Sequence, residues 1–290
     1  MNSSAKTYTQ IARAKINLTL HVGPAQRDGY HPLHSLVVFA DIGDVLNLVV
    51  CKKQKQPNLE ISGPFGCWLG NGRDNTVMQI AMAVNDIHIG KPNFHLIKNL
   101  PVASGMGGGT SDAATAWRMV TKQYQCIDTS VIQKMGADFT VCLFPLTVIM
   151  EGIGHELTPL SNKRQVASIL VNPGTVLNTD GVFKAFDETG CSTQPNASLR
   201  GSLLEMAKNG RNDLQDIAIK MEPIIQTVLD GITAQDGCEL ARMSGSGASC
   251  FGLFKTMDQA RFAAKTIKAK YPNWWCVPTL LGDKTEEAKQ

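Results

Sequence analysis

The stretch GMGGGTSDAA, Gly105 to Ala114, puts four glycines in five positions directly ahead of an alanine-rich run. Glycine has no Cβ, so this backbone can come close to a ligand or to another chain segment. The residues that follow, Thr110, Ser111 and Asp112, are of the types that favour helix starts. Beyond them SDAATAWRMVTKQY sets Ala113, Trp117, Val120 and Tyr124 on one helical face. The first amides of such a helix lack intrahelical partners, and its dipole favours a nearby anion by about 0.3–1 kcal/mol. Thr110 or Ser111 is expected to cap the helix, leaving a hydroxyl within reach of a phosphate or its magnesium. An ordinary helix start needs one glycine, so four point to a backbone cradle for an anion.

That cradle is neither of the two common phosphate loops. No Lys lies in it, which excludes the Walker A pattern, and Thr110 stands where a GxGxxG fingerprint needs its last glycine. A second glycine loop, MSGSGAS at 243–249, runs into an apolar strand and reads as a tight turn or as packing for the first loop.

With 290 residues the chain is long enough for two domains, and 43% hydrophobic against 18% charged residues is ordinary globular composition. The net charge of +3 is too small, and too evenly spread, for a nucleic-acid protein. None of the eight cysteines forms a CxxC pair or neighbours a histidine at ligand spacing. They read as reduced residues of a cytoplasmic protein, with no metal site of their own. The N-terminus lacks the apolar core of a signal peptide, and no membrane span is expected.

Along the chain, IARAKINLTLHV alternates apolar Ala14, Ile16, Leu18, Leu20 and Val22 with polar Lys15, Asn17, Thr19 and His21, the period of a half-buried strand. The runs SLVVFADIG and VLNLVV, with residues 58–62 and 93–98, add further strands. Between them NTVMQIAMAVNDI places Val77, Ile80, Ala81, Val84 and Ile87 on one helical face, with Asn75 as its cap. A strand at 166–172 opens a second half with helices near 197–208, 213–230 and 258–270, and a tail, DKTEEAKQ, expected to fray. Strands and helices mix without regular alternation, so the fold class is α+β.

Lys15 and Asn17 share one strand face, roughly 6–7 Å apart by strand rise. They read equally as a solvated outer face or as part of a site. Asp138 in GADFTVCLF is open in the same way, as a helix or turn cap or as a carboxylate able to accept a proton beside Lys15.

Taken together, ARAKINLTLHV, DGYH at 28–31, LPVASGMGGGTSDAA, GAD, EGIG, NDL and RMSGSGAS resemble the GHMP family of small-molecule kinases over nearly the whole chain. AKIN followed by DGYH is similar to the branch that acts on a cytidyl alcohol in the non-mevalonate (methylerythritol phosphate) route to isoprenoid precursors. The resemblance implies a two-domain GHMP kinase fold. An ATP-binding domain like ribosomal protein S5 domain 2 is expected over 1–162 and a ferredoxin-like substrate domain over 163–290, with ATP and substrate meeting in the cleft between them. Pro101, Val102, Ala103, Ser104, Gly105, Met106, Gly107, Gly108, Gly109, Thr110 and Ser111 would wrap the ATP phosphates, with Lys98 and Asn75 at the adenosine end. Asp138 matches the general base and Lys15 its cationic partner. Asn17 would bind polar groups of the substrate. Tyr30 would stack on cytosine and His31 hydrogen-bond to it, with Thr179 and Phe183 across that pocket. ATP and Mg²⁺ are the implied cofactors, although no acidic metal ligand stands in the loop. The partner is a small cytidyl molecule that gains phosphate on its 2-hydroxyl, and the protein is expected to act as a monomer or weak homodimer.

The chain departs from the family pattern at four places. Phe139-Thr140 follows Asp138 where Val-Pro is common, Val37 and Asp180 replace the usual Phe and Pro, and Thr110 replaces Ser. A GHMP kinase for another alcohol would not need the Tyr-His pair, and an inactive ATP-binding regulator would be expected to lose Lys15 or Asp138. The failed GxGxxG disfavours a dehydrogenase. The S5-like likeness alone would not make an RNA binder.

Overall fold

The computed structural model describes residues 5–27, 29–86, 89–160, 164–190, 195 and 200–283. It begins with β1 (Lys6–Asn17), β2 (His21–Val22), β3 (Leu33–Val50) and β4 (Asn58–Ser62). Next come α1 (Thr76–Met82), β5 (Asn93–Ile97), α2 (Gly108–Gln123), α3 (Phe139–Leu143), β6 (Val148–Gly152) and β7 (Glu156–Pro159). The remainder is β8 (Val166–Asn172), α4 (Thr179–Asp187), α5 (Leu203–Asn209), α6 (Gln215–Met221) and α7 (Ile224–Thr233). It closes with β9 (Cys238–Met243), β10 (Cys250–Phe254), α8 (Met257–Lys270) and β11 (Trp275–Leu281). Among the described residues no helix is long and apolar enough to cross a membrane.

The chain divides into two compact units, though not at one position near 162. One unit takes the residues up to Ala14, Ile42–Val102 and Gly107–Phe144; the other takes Lys15–Asp41, Ala103–Met106 and the chain from Pro145 onward. The division is discontinuous because β1 and β3, at 12 and 18 residues, are each long enough to contribute to both.

In the first unit the end of β3 pairs antiparallel with β5, from Val45 against Ile97 to Val49 against Asn93, and β4 lies parallel on the other side of β5. Leu46, Leu48, Leu59, Phe94 and Leu96 point into the core at strand spacing. The helices α1 and α2 pack together, and the small side chains Ala113, Ala114 and Ala116 allow close approach. Asn75 caps α1 as expected, accepting from the Val77 amide at 2.9 Å. Ile87 lies outside the described residues.

In the second unit β8 is the centre of an antiparallel sheet, paired with β11 on one side and β10 on the other, with β9 beyond β10. Every residue of β8 is buried, as a strand covered on both faces requires. Ala260, Ala263, Ala264 and Ile267 of α8 and Ile225, Val228 and Ile232 of α7 join Ile169 and Val171 in its core. The expected helix over 213–230 is two helices, α6 and α7, because Pro223 cannot donate to a continuing ladder. The helix expected near 197–208 is observed as α5 from Leu203 onward, capped by a reciprocal Ser202–Glu205 box. Residues 196–199 and the tail from 284 lie outside the described residues. Helix α4 has no counterpart in the sequence reading, although Asn178 caps it and Val182 and Phe186 sit one turn apart.

Candidate active site

The polar face of the first strand is not solvated. Lys15, Asn17, Thr19 and His21 are all buried, at 4%, 2%, 0% and 1% exposure. A buried ammonium must be hydrogen-bonded, and Lys15 Nζ donates to Asn17 Oδ1 at 3.0 Å. Asn17 is oriented in turn by its Nδ2 donating to Ser35 Oγ at 2.8 Å, and Ser35 donates to the Thr19 carbonyl at 2.6 Å. The Asn17 amide donates to Ser244 Oγ, and the Lys15 amide to the Met106 carbonyl. The Lys15 backbone is therefore tied to the first glycine loop, and that of Asn17 to the second.

Residues 103–106 and the SGSGA turn belong to the same unit and touch directly. The Ser249 amide donates to the Ser104 carbonyl at 3.1 Å, and Ser244 Oγ to the Gly105 carbonyl at 3.3 Å. Gly105 has φ +75°, and a Cβ there would lie 2.5 Å from the Gly247 carbonyl oxygen and 2.7 Å from that of Ser244. No side chain fits, so this glycine is required by backbone packing as well as by conformation. The SGSGA turn is itself anchored by side chains the sequence reading left without a role. Asn212 Nδ2 donates to the Met243 and Gly245 carbonyls, and Asn172 Nδ2 to Ser249 Oγ. Buried Arg242 donates to the Leu18, Ala207 and Gly210 carbonyls. Loss of water pushes its guanidinium down to about 10, still charged at neutral pH. NDL and RMSGSGAS contained both Asn212 and Arg242, but nothing in their spacing revealed these partners.

In the first unit the N-cap of α2 is Gly107, in left-handed conformation at φ +62°, and not Thr110 or Ser111. The helix starts three residues earlier than a hydroxyl cap would place it, because a left-handed glycine turns the chain into the helix without a side chain. Thr110 and Ser111 therefore stand inside the first turn, and Ser111 Oγ donates to the Arg13 carbonyl at 2.8 Å. The amide-bearing mouth of α2 is formed by Gly107, Gly108 and Gly109, whose bare backbone lets an anion approach closely.

Lys98 is buried, and its ammonium lies between two carboxylates, 2.5 Å from Asp44 Oδ2 and 2.7 Å from Asp112 Oδ2. Burial alone would lower its pKa, but Asp112 and Asp44 outweigh that and hold it above the ordinary lysine value. Burial drives the Asp112 carboxyl up to about 7, against the pull of Lys98. Neither carboxylate was a candidate site residue, and Asp44 stands 54 positions from Lys98. Asn75 spends its side chain on the α1 cap and on the Gly70 carbonyl.

Asp138 sits at the N-cap position of α3, yet its side chain makes no capping hydrogen bond. The helix-cap reading of this residue therefore does not hold for α3. Helix α3 is held by Phe139, Val141 and Cys142 in the core and by Arg118 of α2, whose Nη1 donates to the Cys142 carbonyl at 2.6 Å.

His31 and Phe183 are brought together, with ring centroids 4.9 Å apart, and Phe186 stands edge-on at 6.0 Å. His31 Nε2 lies 2.8 Å from Asp187 Oδ1, a partner the sequence reading missed. Helical spacing carried the signal, since Phe183 and Asp187 are one turn apart on the unrecognised α4. Tyr30 is 57% exposed. Thr179 Oγ1 hydrogen-bonds to Ser246 Oγ at 2.9 Å, joining the start of α4 to the SGSGA turn. Val37 is fully buried opposite Val148, and Asp180 occupies the first turn of α4, where an acid suits the dipole. Asp28 of the DGYH turn lies outside the described residues.

Residues 196–273 match the sequence profile of the GHMP kinases C terminal family. The chain is 40% identical over 287 residues to a 4-diphosphocytidyl-2-C-methyl-D-erythritol kinase of Roseobacter denitrificans, covering 96% of this chain and 94% of that one. A kinase of the same name from Cereibacter sphaeroides is 43% identical over 278 residues, covering 93% of this chain and 98% of its own. Among solved structures, a 4-(cytidine 5'-diphospho)-2C-methyl-D-erythritol kinase superposes with a TM-score of 0.79 at 27% identity, covering 96% of this chain and all of that one. A homoserine kinase from Cytophaga hutchinsonii shares the fold alone, with a TM-score of 0.67 at 12% identity over 98% of both chains.

Proposed function

Because the chain belongs to the GHMP kinases, in the branch of the 4-diphosphocytidyl-2-C-methyl-D-erythritol kinases, we propose that it transfers the γ-phosphoryl of ATP to the 2-hydroxyl of that cytidyl alcohol. The observation that carries this reading is the glycine loop. Its first part is fixed on the SGSGA turn by a glycine that admits no Cβ, and its second part opens α2 with bare amides. Such oriented donors suit a polyphosphate, because phosphoryl transfer depends chiefly on positioning and charge stabilisation.

Magnesium enters as the chelate of ATP. Bound there, the ion would neutralise charge on the phosphate oxygens that it joins. The chain's own residues handle the proton and the charge. Asp138 accepts the proton of the 2-hydroxyl as that oxygen bonds to the γ-phosphorus and the bond to the β-phosphate oxygen breaks, releasing ADP. The Asp138 side chain makes no capping hydrogen bond to α3. Lys15 offsets the negative charge of the carboxylate and the phosphoryl group, held in place by Asn17. Asn17 Oδ1 keeps a second lone pair for a substrate hydroxyl. Lys98 and Asn75 support the adenosine end from behind, through the Asp44–Asp112 pair and the α1 cap.

His31 reads the cytosine edge, its ring oriented by Asp187 and packed on Phe183, while the exposed Tyr30 supplies the stacking face and Thr179 the far wall. Tyr30→Ala is expected to raise KM for the cytidyl substrate on the order of 10–100-fold, from the roughly 1–3 kcal/mol of base stacking, with kcat nearly unchanged. An unchanged KM removes the stacking role. The expected setting is the methylerythritol phosphate route in the cytoplasm, with the protein a monomer or weak homodimer.

The reading is tested by following ADP release with MgATP and, in parallel, 4-diphosphocytidyl-2-C-methyl-D-erythritol, mevalonate, homoserine and galactose. Turnover confined to the cytidyl substrate supports it. Turnover on another alcohol keeps the kinase and discards the cytosine pocket, and no turnover from folded, ATP-binding protein favours a regulator.

A further inference from the structure

The Asp44–Lys98–Asp112 cluster joins the chain just before the glycine loop to the chain just after it. Asp44 Oδ1 accepts from the amides of Asn99 at 2.6 Å and Leu100 at 2.9 Å, which fixes the stem that enters the loop at Pro101. Asp44 Oδ2 receives the Lys98 ammonium, and the same ammonium reaches Asp112 in the opening turns of α2, where the loop ends. The Lys98 backbone is fixed independently, its amide donating to the Ser62 carbonyl at 2.8 Å and its carbonyl accepting from Phe65. All three side chains are buried, at 0%, 2% and 2% exposure.

Two further observations connect this cluster with the loop. A Cβ on Gly108 would lie 3.1 Å from Lys98 Nζ and 3.7 Å from Asp44 Oδ2, so the loop backbone lies directly over the ion cluster. Asp112 Oδ1 is buried with no hydrogen-bond partner among the described residues. A second carboxylate left half-satisfied beside an already paired Lys98–Asp44 costs stability. Its position at the loop exit supplies a reason for its presence.

We propose that Asp44, Lys98 and Asp112 form a positioning device that clasps both stems of the glycine loop and so sets the protein's affinity for the nucleotide. The inference rests on the loop's being the nucleotide site, as proposed above. None of the three side chains need touch ATP. They act by holding the Gly107–Gly109 amides in the geometry that receives its phosphates.

Asp112→Ala tests this, because it leaves a charge-balanced Lys98–Asp44 pair in place while releasing the exit stem. The expected result is a rise in KM for MgATP of about tenfold or more, with KM for the alcohol substrate unchanged. Hydrogen exchange of the amides between Ala103 and Gly109 should quicken in the nucleotide-free protein. Asp112→Asn, which keeps an oxygen acceptor for Lys98, should restore most of the affinity. If Asp112→Ala does not fold, Asp44→Asn is read in the same way, since it keeps the acceptor for the two amides and loses the charge toward Lys98. An unaltered KM for MgATP with unaltered loop exchange in folded variant protein overturns the proposal. Failure of the nucleotide reading itself looks different: the wild type would show no nucleotide protection of loop amides, while exchange in nucleotide-free Asp112→Ala would still show whether the stems are clasped.

Discussion

Asp138→Asn is expected to lower kcat by about 10²–10⁴ while leaving the affinity for MgATP nearly intact. The substitution preserves shape and removes the ability to take a proton. The substitution removes no cap from α3, because the Asp138 side chain makes no capping bond to it. That helix is secured by Arg118, which donates to the Cys142 and Leu143 carbonyls, and by its own buried residues. Circular dichroism of the variant, measured alongside steady-state kinetics, separates lost chemistry from lost fold. Near-normal turnover in folded protein would remove Asp138 from the role of base and leave phosphoryl transfer to positioning alone.

The second large effect is on stability. Lys98→Met should destabilise the fold by about 3–5 kcal/mol at neutral pH, the usual cost of removing one partner from a buried ion pair. Here the cost falls on two carboxylates at once, since Asp44 and Asp112 are both bonded to that ammonium. The deficit should shrink as the pH is lowered. In the wild type the Asp112 carboxyl is already raised from 3.8 to about 7, by burial first and by Asp44 to a smaller degree, with Lys98 opposing both. Removing Lys98 raises it further. A carboxyl whose folded pKa exceeds its unfolded value takes up its proton more readily in the folded state, so folding gains as pH falls through that interval. The same sign means that the wild type loses part of its stability as pH rises from about 4 to about 7. Urea unfolding of both proteins at pH 5 and pH 8 checks this, and an equal deficit at the two values contradicts it.

What the sequence could disclose follows the range of the interactions. The glycine loop was legible because its constraint is local, in that missing side chains ahead of a helix start limit what the backbone can do. The Asn75 cap and the alternating strand were legible for the same reason. The alternation nevertheless left the exposure of Lys15 and Asn17 open, because a period of two says which residues share a face and not what covers it. Ser35 and Ser244, which bond to Asn17, lie 18 and 227 positions away. The Asp44–Lys98 contact spans 54 positions and crosses strand, turn and helix, so no spacing rule finds it. The cap at Gly107 was missed because a left-handed glycine leaves no side-chain signature beyond the glycine itself. Helix α4 was missed although its cap and apolar spacing were present, and with it went Asp187, the residue that orients His31.

The central claim concerns where a phosphoryl group goes, so the product itself is the most direct witness. Phosphorus and carbon NMR of the material formed from MgATP and 4-diphosphocytidyl-2-C-methyl-D-erythritol should show one new phosphomonoester. Its coupling should be to the carbon that bears the 2-hydroxyl, with the cytidine diphosphate resonances intact and ADP formed in equal amount. Phosphate appearing on another hydroxyl, or only as free inorganic phosphate, would contradict the assignment of substrate, base and cytosine pocket together.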